Sequence, residues 1–218
     1  MSRSYGQYCG LARALDVLGD RWTLLVVRQL LLAPARYREL LDGLPGVATN
    51  LLADRLRSLE TAGVIERRLA GQGNAVVYAL TAWGAELREP IESLIRWSAP
   101  LMVHGPGNDQ FRADWLVLPL RALLDGKPAA PHRSSTVGVA VDDQLFELRA
   151  TRSGIEVLAY DGGNLDAVIR ADGAIILGLA AGALTLDDAR QLVELDGDEA
   201  AVRAIFNARR ARPVNRTR

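Results

Sequence analysis

Residues 48–63 read ATNLLADRLRSLETAG, and the spacing of their leucines decides the fold expected for the first half of the chain. Leu52, Leu56 and Leu59 recur at i, i+4 and i+7, which places them on one stripe of an α-helix. The opposite face carries small and polar side chains: Thr49, Asn50, Ala53, Asp54 and Arg57. The stretch therefore predicts a helix that buries one stripe and leaves a polar face outside.

The segments on either side of this helix predict further helices and a hairpin. Four helices are expected: one ending at Gly19, one from Trp22 to Leu31 that Asp20 caps, a short one at 36–41, and one from Thr81 to about Trp97 with a kink at Pro90. After Gly63, two strands are expected around 64–65 and 76–80, with a flexible tip at 71–74. This order is that of a helix-turn-helix followed by a wing.

A helix-turn-helix with a wing points to DNA as the partner. An α-helix fits the major groove, where Asn and Arg side chains contact base edges through paired hydrogen bonds. We expect DNA contacts from the long helix (Thr49, Asn50, Ala53, Asp54, Arg57), the short helix (Arg36, Arg38), the wing base (Arg67, Arg68) and the wing tip (Gln72, Asn74). The alternative is a structural helix with a solvated polar face.

Two charged residues of the long helix have more than one interpretation. Asp54 would repel phosphate, so it either accepts from a cytosine amine or points away from DNA. Arg55 is ambiguous, and pairing with a nearby acid would let it hold the domain together.

Four motifs tie the first half to a known family. They are Tyr8-Cys9, Leu-Gly-Asp-Arg-Trp-Thr at 18–23, Arg-Tyr-Arg-Glu-Leu at 36–40, and Leu-Glu-x-Ala-Gly-Val-Ile-Glu-Arg at 59–67. With these, residues 8–98 resemble the HxlR-type winged helix-turn-helix regulators of the MarR-like superfamily. The resemblance implies a homodimer on a palindromic operator, with dimer contacts from the N-terminal segment and the helix around 84–97. Ala48 departs from it, because the family usually has a serine cap there; Thr49 or backbone geometry would have to replace that cap.

Cys9 is the single cysteine of the chain, which excludes an intrachain disulfide. The family resemblance implies that a cysteine at this position can sense oxidants or electrophiles. The thiolate is the reactive form, and Arg13, one helical turn later, would favour it. The alternative is a small buried side chain, and the chain holds no second cysteine to resolve an oxidised one.

The second half reads as a separate α+β domain. We expect the winged domain at 1–99, a linker at 100–110, the second domain at 111–208 and a disordered basic tail at 209–218. Its pattern predicts a helix at 111–124, strands at 136–141, 145–150 and 155–159, a helix starting at 162–164 and running through 165–169, an apolar helix at 174–179 capped by Asp172, a strand at 192–195 and a final helix after 198. The expected architecture is an antiparallel sheet packed under helices.

This order of elements over residues 112–207 resembles a sterol carrier protein 2-like domain. The resemblance implies an apolar cavity between sheet and helices that can hold a lipid or another hydrophobic small molecule. Candidate lining residues are Trp115, Leu116, Phe146, Ile175 and Ile176. The same side chains are equally suited to a plain core.

Composition and charge limit the number of domains and the classes of partner that we expect. The 218 residues are 49% hydrophobic and 24% charged, enough for two packed domains. Residues 1–99 carry a net charge of +2 and residues 100–207 one of −7, which disfavours nucleic-acid binding by the second half. There is no apolar run of membrane-spanning length and no secretory signal pattern at the start, so we expect a cytoplasmic protein without membrane contact.

No catalytic or cofactor motif is visible in the sequence. His104 and His132 lie in Pro- and Gly-rich loops without a cysteine partner, so we expect neither a metal site nor a cofactor, and no enzyme. The sequence predicts a homodimeric DNA-binding repressor, or an activator, whose second domain binds a hydrophobic effector. The alternatives are a lipid- or sterol-carrier-like binding protein and an architectural DNA binder whose second domain only dimerises.

Overall fold

The computed structural model describes residues 4–70, 75–102, 105, 107–125, 135–151 and 154–206. The chain divides into two compact units, Met1–Ile91 and Glu92–Arg218, which we call the first and the second unit. Among the described residues, no helix combines the length and the apolar character needed to cross a membrane.

The first unit begins with helices in the predicted order. They are α1 (Gly10–Leu18), α2 (Thr23–Leu32), α3 (Tyr37–Asp42) and α4 (Thr49–Thr61). Two antiparallel strands follow, β1 (Ile65–Ala70) and β2 (Ala75–Leu80). Ala35, just before α3, exchanges two backbone hydrogen bonds of 3.0 and 2.8 Å with Tyr78 in β2. The backbone therefore ties the helix-turn-helix to the wing.

The core of the first unit lies between α2, α4 and the hairpin. Leu52, Leu56 and Leu59 are all buried, which confirms the stripe predicted from their spacing. The apolar side chains that α2 buries are Val26, Val27, Leu30 and Leu31. Because α4 packs through one stripe, its other faces remain available to a partner.

The predicted cap of α2 is wrong. Trp22, not Asp20, occupies the N-cap position, and it does so in the left-handed conformation with φ of 82°. The Asp20 carboxylate instead pairs with Arg55 of α4. This confirms the interpretation of Arg55 as a residue that holds the domain together.

The last predicted helix of the first half is split in two. Thr81 caps α5 (Ala82–Ala85) as expected, and its hydroxyl accepts a hydrogen bond of 3.0 Å from Gly84 N. A break follows, and α6 (Arg88–Ser98) begins before Pro90 instead of being kinked at it. A proline in the first turn of a helix removes an N–H that has no intrahelical partner there, so the helix tolerates it.

The described part of the second unit is a five-stranded sheet with helices. A 3-10 turn at Ala113–Leu116 leads into α7 (Val117–Leu124), and the remaining elements are β3 (Ser135–Val141), β4 (Gln144–Thr151), β5 (Gly154–Ala159), β6 (Ala167–Arg170), α8 (Gly173–Ala181), β7 (Glu194–Gly197) and α9 (Glu199–Phe206). The strand order is β5-β4-β3-β6-β7. Since β3 and β6 run parallel, the sheet is mixed, and the prediction of an antiparallel sheet is wrong.

The helix predicted through residues 165–169 is also wrong, because this segment contains β6. Leu165, Val168 and Ile169 fit helical spacing, but Ala167 and Ile169 are buried while Val168 between them is half-buried, which is the period of a strand. Short apolar runs fit both periods. Pairing with β3 decides between them here.

One strand boundary and one helix cap in the second unit differ from the prediction. β7 begins at Glu194, so Leu195 lies in it but Leu192 and Val193 precede it. Asp172 stands at the N-cap of α8, yet its side chain makes no capping hydrogen bond.

The core of the second unit is closed by helices over the sheet. Both α7 and α9 contact strands, and α8 packs against α7. Among its fully buried side chains are Leu116, Leu120, Leu124, Val137, Val139, Leu148, Ile169, Ile176, Leu179, Val202 and Ile205.

Helix α6 lies across the division between the units. The later part of α6 contacts α7. Arg96 Nη1 donates to the carbonyl oxygen of Ala122 at 3.4 Å, and Glu92 Oε1 lies 3.8 Å from Arg121 Nε. The division after Ile91 therefore falls inside a helix that the sequence assigns wholly to a domain ending at residue 99.

Candidate nucleic-acid interface

The outer face of α4 is the candidate surface for DNA. Thr49, Asn50, Asp54 and Arg57 are exposed, and Ala53 is half-buried. The buried leucine stripe fixes which way this face points, since it packs on α2 and β1. The structure thus places the five predicted residues of the long helix together on one helix.

The start of α4 is held by a neighbouring helix. Ala48 occupies the N-cap in an extended conformation (φ −73°, ψ 141°), and no side chain caps the helix there. Separately, the Tyr37 hydroxyl of α3 donates to the carbonyl oxygen of Thr49, the first residue of α4, at 2.7 Å. Sequence analysis named Tyr37 only within the Arg-Tyr-Arg-Glu-Leu motif, which was the available signal for this contact.

Asp54 and Arg57 form an ion pair along the outer face of α4. Arg57 Nη2 donates to Asp54 Oδ1 at 2.6 Å, and Arg57 Nε lies 3.4 Å from the carbonyl oxygen of Ala53. The Arg57 side chain is 72% exposed and that of Asp54 is 56% exposed. In the free protein Asp54 therefore neither stands alone nor turns away from the surface.

Both arginines at the base of the wing are paired as well. Arg67 donates through Nε and Nη2 to the two carboxylate oxygens of Glu60, each at 2.8 Å. This contact joins β1 to α4, lowers the pKa of the Glu60 carboxyl and raises that of Arg67. Arg68 Nε donates to Glu66 Oε1 at 2.6 Å. Sequence analysis missed Glu60, because seven positions of sequence separation do not fix the distance between a helix residue and a strand residue.

The remaining predicted DNA contacts lie on α3 and at the wing tip. The side chains of Arg36 and Arg38 are exposed, and neither guanidinium has an ion-pair partner within the part of the chain that the structure describes. Gln72 and Asn74 lie outside the described residues.

Cys9 is exposed at the N-cap of α1. The backbone N–H groups of Ala12 and Leu11 lower the pKa of its thiol. Arg13 is not among the groups that shift this pKa, and its Nη1 lies 3.5 Å from Asp16 Oδ2. The predicted role of Arg13 is therefore wrong, and the helix start takes its place as the source of thiolate stabilisation.

The candidate effector residues lie within or beside the second core. Leu116, Phe146 and Ile176 are buried members of it, Ile175 packs against it half-buried, and Trp115 is half-buried. In the described residues, no group of three or more His, Cys, Asp or Glu side chains is arranged to hold a metal ion. His104 and His132 lie outside the described residues.

Comparison with known proteins identifies relatives of the first half. A family model for the HxlR-like helix-turn-helix matches residues 17–104. The HTH-type transcriptional regulator YodB of Bacillus subtilis is 30% identical over 86 residues, which are 39% of this chain and 77% of that protein. An uncharacterised HTH-type transcriptional regulator of Synechocystis is 40% identical over 84 residues, 38% of this chain; the match spans 62% of that relative.

A solved structure also matches part of this chain. The reduced form of YodB from B. subtilis is 28% identical, with a TM-score of 0.40, and covers 45% of this chain and 99% of its own. The family match ends at residue 104, so it leaves out nearly all of the second unit.

Proposed function

Since this chain belongs to the HxlR-like helix-turn-helix family of transcriptional regulators, we propose that it is a cytoplasmic repressor that binds a palindromic DNA operator as a homodimer. The observation that carries the proposal is α4. It buries Leu52, Leu56 and Leu59, and it presents Thr49, Asn50 and Arg57 on an exposed face. A helix anchored on one side and polar on the other is suited to the major groove.

The DNA contacts divide by chemistry. Thr49, Asn50, Ala53 and Arg57 contact base edges, where Asn pairs with adenine and Arg with guanine through two hydrogen bonds each. Sequence-independent contacts go to phosphates, and we assign these to Arg36, Arg38, Arg67, Arg68, Gln72 and Asn74. Because the first unit is only mildly basic, specificity rests on few contacts and on dimer geometry.

Exposed apolar side chains support the homodimer. Tyr8 is fully exposed, and Leu11 and Leu15 of α1 are also exposed; so are Leu94 and Trp97 of α6. Leu11 and Leu15 are one turn apart on α1, as Leu94 and Trp97 are on α6, and adjoining exposed apolar side chains on a helix are typical of protein contacts. A symmetric dimer would place two α4 helices about 34–36 Å apart, one turn of DNA.

The test begins with selection of genomic DNA fragments by the purified protein. The most enriched fragment is then titrated with wild type, Asn50→Ala, Arg57→Ala and, as a control on the same helix, the exposed Ser58→Ala. Each of the first two variants should lose about 5- to 150-fold in affinity at unchanged Tm, as expected for one base contact. Ser58→Ala should match wild type. If both variants bind like wild type, α4 does not recognise the operator.

For the second unit we propose a sterol carrier protein 2-like role, in which a hydrophobic small molecule binds and changes the spacing of the two α4 helices. Ile175, which packs half-buried against the core that includes Leu116, Phe146 and Ile176, and the half-buried Trp115 support this site. A ligand acts only if it favours one dimer geometry over another. Mass spectrometry of denatured protein should detect a copurified hydrophobic molecule. A ligand-free protein whose DNA binding no added lipid changes would favour the architectural role.

Cys9 is proposed as a thiol sensor. It is exposed, and backbone N–H groups lower the pKa of its thiol, so more thiolate exists at neutral pH than in a free cysteine. Alkylation by iodoacetamide, followed by mass spectrometry against pH, should reach half its maximal rate below the pH found for a cysteine peptide. Equal profiles, or operator binding that ignores alkylation, would exclude a sensing role.

A further inference from the structure

The exposed arginines of the candidate interface differ in the partners that their guanidinium groups bind. Arg67 gives both Nε and Nη2 to Glu60, so one whole edge of its guanidinium is occupied. Arg57 gives Nη2 to a single oxygen of Asp54, and its Nε makes only a longer contact of 3.4 Å with the carbonyl oxygen of Ala53 on the same helix. The Nη1 group of Arg57 makes no hydrogen bond within the described residues, and it remains available to a ligand.

The Asp54–Arg57 pair also restricts where Arg57 can point. An arginine side chain has many rotamers, and contact with DNA requires most of them to be given up. Asp54 lies one turn before Arg57, and together with the Ala53 carbonyl it holds the guanidinium along the outer face of α4. A guanidinium held by one edge can still donate two parallel hydrogen bonds, the geometry that guanine O6 and N7 accept.

A carboxylate in this position affects contacts with the DNA phosphates differently from contacts with the base edges. Near a phosphate, Asp54 adds like-charge repulsion and competes for the same guanidinium. Near the edge of guanine, it can remain bonded to Arg57, because base and carboxylate use different N–H groups. The pair therefore favours Arg57 contacts with a base over Arg57 contacts with the backbone.

We propose that Asp54 is a specificity-determining positioning residue, which holds Arg57 so that it recognises one guanine of the operator and binds non-specific DNA poorly. The inference rests on the proposed DNA-binding function. It differs from the two interpretations suggested by the sequence, since Asp54 neither contacts a cytosine directly nor turns away. Asp54 acts through Arg57.

The test compares wild type with Asp54→Asn on two duplexes of equal length. One carries the fragment selected from genomic DNA, and the other is a mixed-sequence duplex; fluorescence anisotropy is recorded over a series of salt concentrations. Asp54→Asn should raise affinity for the mixed duplex by about 2- to 5-fold, the effect of one exposed ion pair. The ratio of operator to mixed-duplex affinity should fall at least about fivefold. A single-base-pair scan should show the lost preference at one G·C pair.

Two controls separate positioning from charge. Glu199→Gln removes the same charge in the second unit, where Glu199 pairs with Arg190 and Arg203, and it should leave the affinity ratio unchanged. In an Arg57→Ala background, Asp54→Asn should no longer change the ratio. The Tm of each variant shows that it is folded.

Three results would overturn the proposal. The first is an unchanged ratio in Asp54→Asn, and the second is a change that persists without Arg57, which would mean that Asp54 acts by itself. The third is an equal change in Glu199→Gln, which would reduce the effect to net charge. If wild type enriches no fragment and binds both duplexes alike, the DNA-binding function itself fails, and the role of Asp54 fails with it.

Discussion

Helices α4 and α8 both bury apolar side chains, but the rest of their surfaces differ completely. Helix α4 buries one leucine stripe and carries Asp54, Arg55, Arg57 and Glu60 around it. Helix α8 has the sequence GAIILGLAA, with no ionisable side chain, and buries Gly173, Ile176, Leu179 and Ala180. A helix that packs through one stripe can present charged side chains to a partner, whereas a helix without ionisable side chains, such as α8, offers a partner no charged group.

The largest expected effect is common to the two helices. Leu56→Ala in α4 and Leu179→Ala in α8 each remove a fully buried side chain, and each should lower the free energy of unfolding of its own unit by about 2–5 kcal/mol. Hydrogen exchange of peptides from each unit measures the two values separately. A loss below about 1 kcal/mol for either leucine would mean that its helix is not packed as described.

A smaller effect should appear at the N-termini of the helices. Ala48 has the extended backbone of an N-cap but no side chain to cap α4, so Ala48→Ser should stabilise the first unit by about 0.5–2 kcal/mol. Asp172→Ala, at the N-cap of α8, should change stability little, because that carboxylate makes no capping bond. Thermal unfolding of both variants tests the contrast, and a destabilised Ala48→Ser would contradict it.

The hydrogen bond from Tyr37 to the start of α4 should have an effect on stability of about the same size. Tyr37→Phe removes the hydrogen bond to the Thr49 carbonyl and should cost the first unit about 0.5–1.5 kcal/mol, with weaker operator binding. Tyr160→Phe is the matched control, since that hydroxyl donates at 2.8 Å to Gly163, only three residues away. Urea unfolding and anisotropy should show a loss for Tyr37→Phe alone; equal losses would remove the special role of Tyr37.

The smallest expected effect is on the pH dependence of stability. Because Arg67 lowers the pKa of Glu60 in the folded protein, the pair stabilises the first unit above the unfolded pKa, and that stability is lost as pH falls through the folded pKa. Glu60→Gln should flatten the first unit's stability profile between about pH 3 and 6. Helix α8 has no titratable side chain. In the second unit, Arg203 lowers the pKa values of Asp187 and Glu199, so we expect these two carboxylates to contribute to the pH dependence of its stability. Glu199→Gln should flatten the second profile and leave the first unchanged, as hydrogen exchange of each unit can check.

Local pattern predicted α4 well and β6 badly. The leucines at 52, 56 and 59 repeat over two turns, and their neighbours cannot satisfy any other period. The segment 165–170 is too short to separate a helix from a strand, and its partner β3 lies about 30 residues earlier in the chain. What decided β6 was therefore a hydrogen-bonding partner that no local window contains.

The same division applies to the candidate site. The sequence by itself determined the helix-turn-helix order, the exposed face of α4 and the spacing of Asp54 from Arg57, because each depends on the geometry of one helix. Only the tertiary structure decided that Glu60 binds Arg67, that Asp20 binds Arg55 and that Tyr37 holds the start of α4. Those contacts join separate elements, and the approach of two elements depends on the packing of the whole unit rather than on the residues that finally meet.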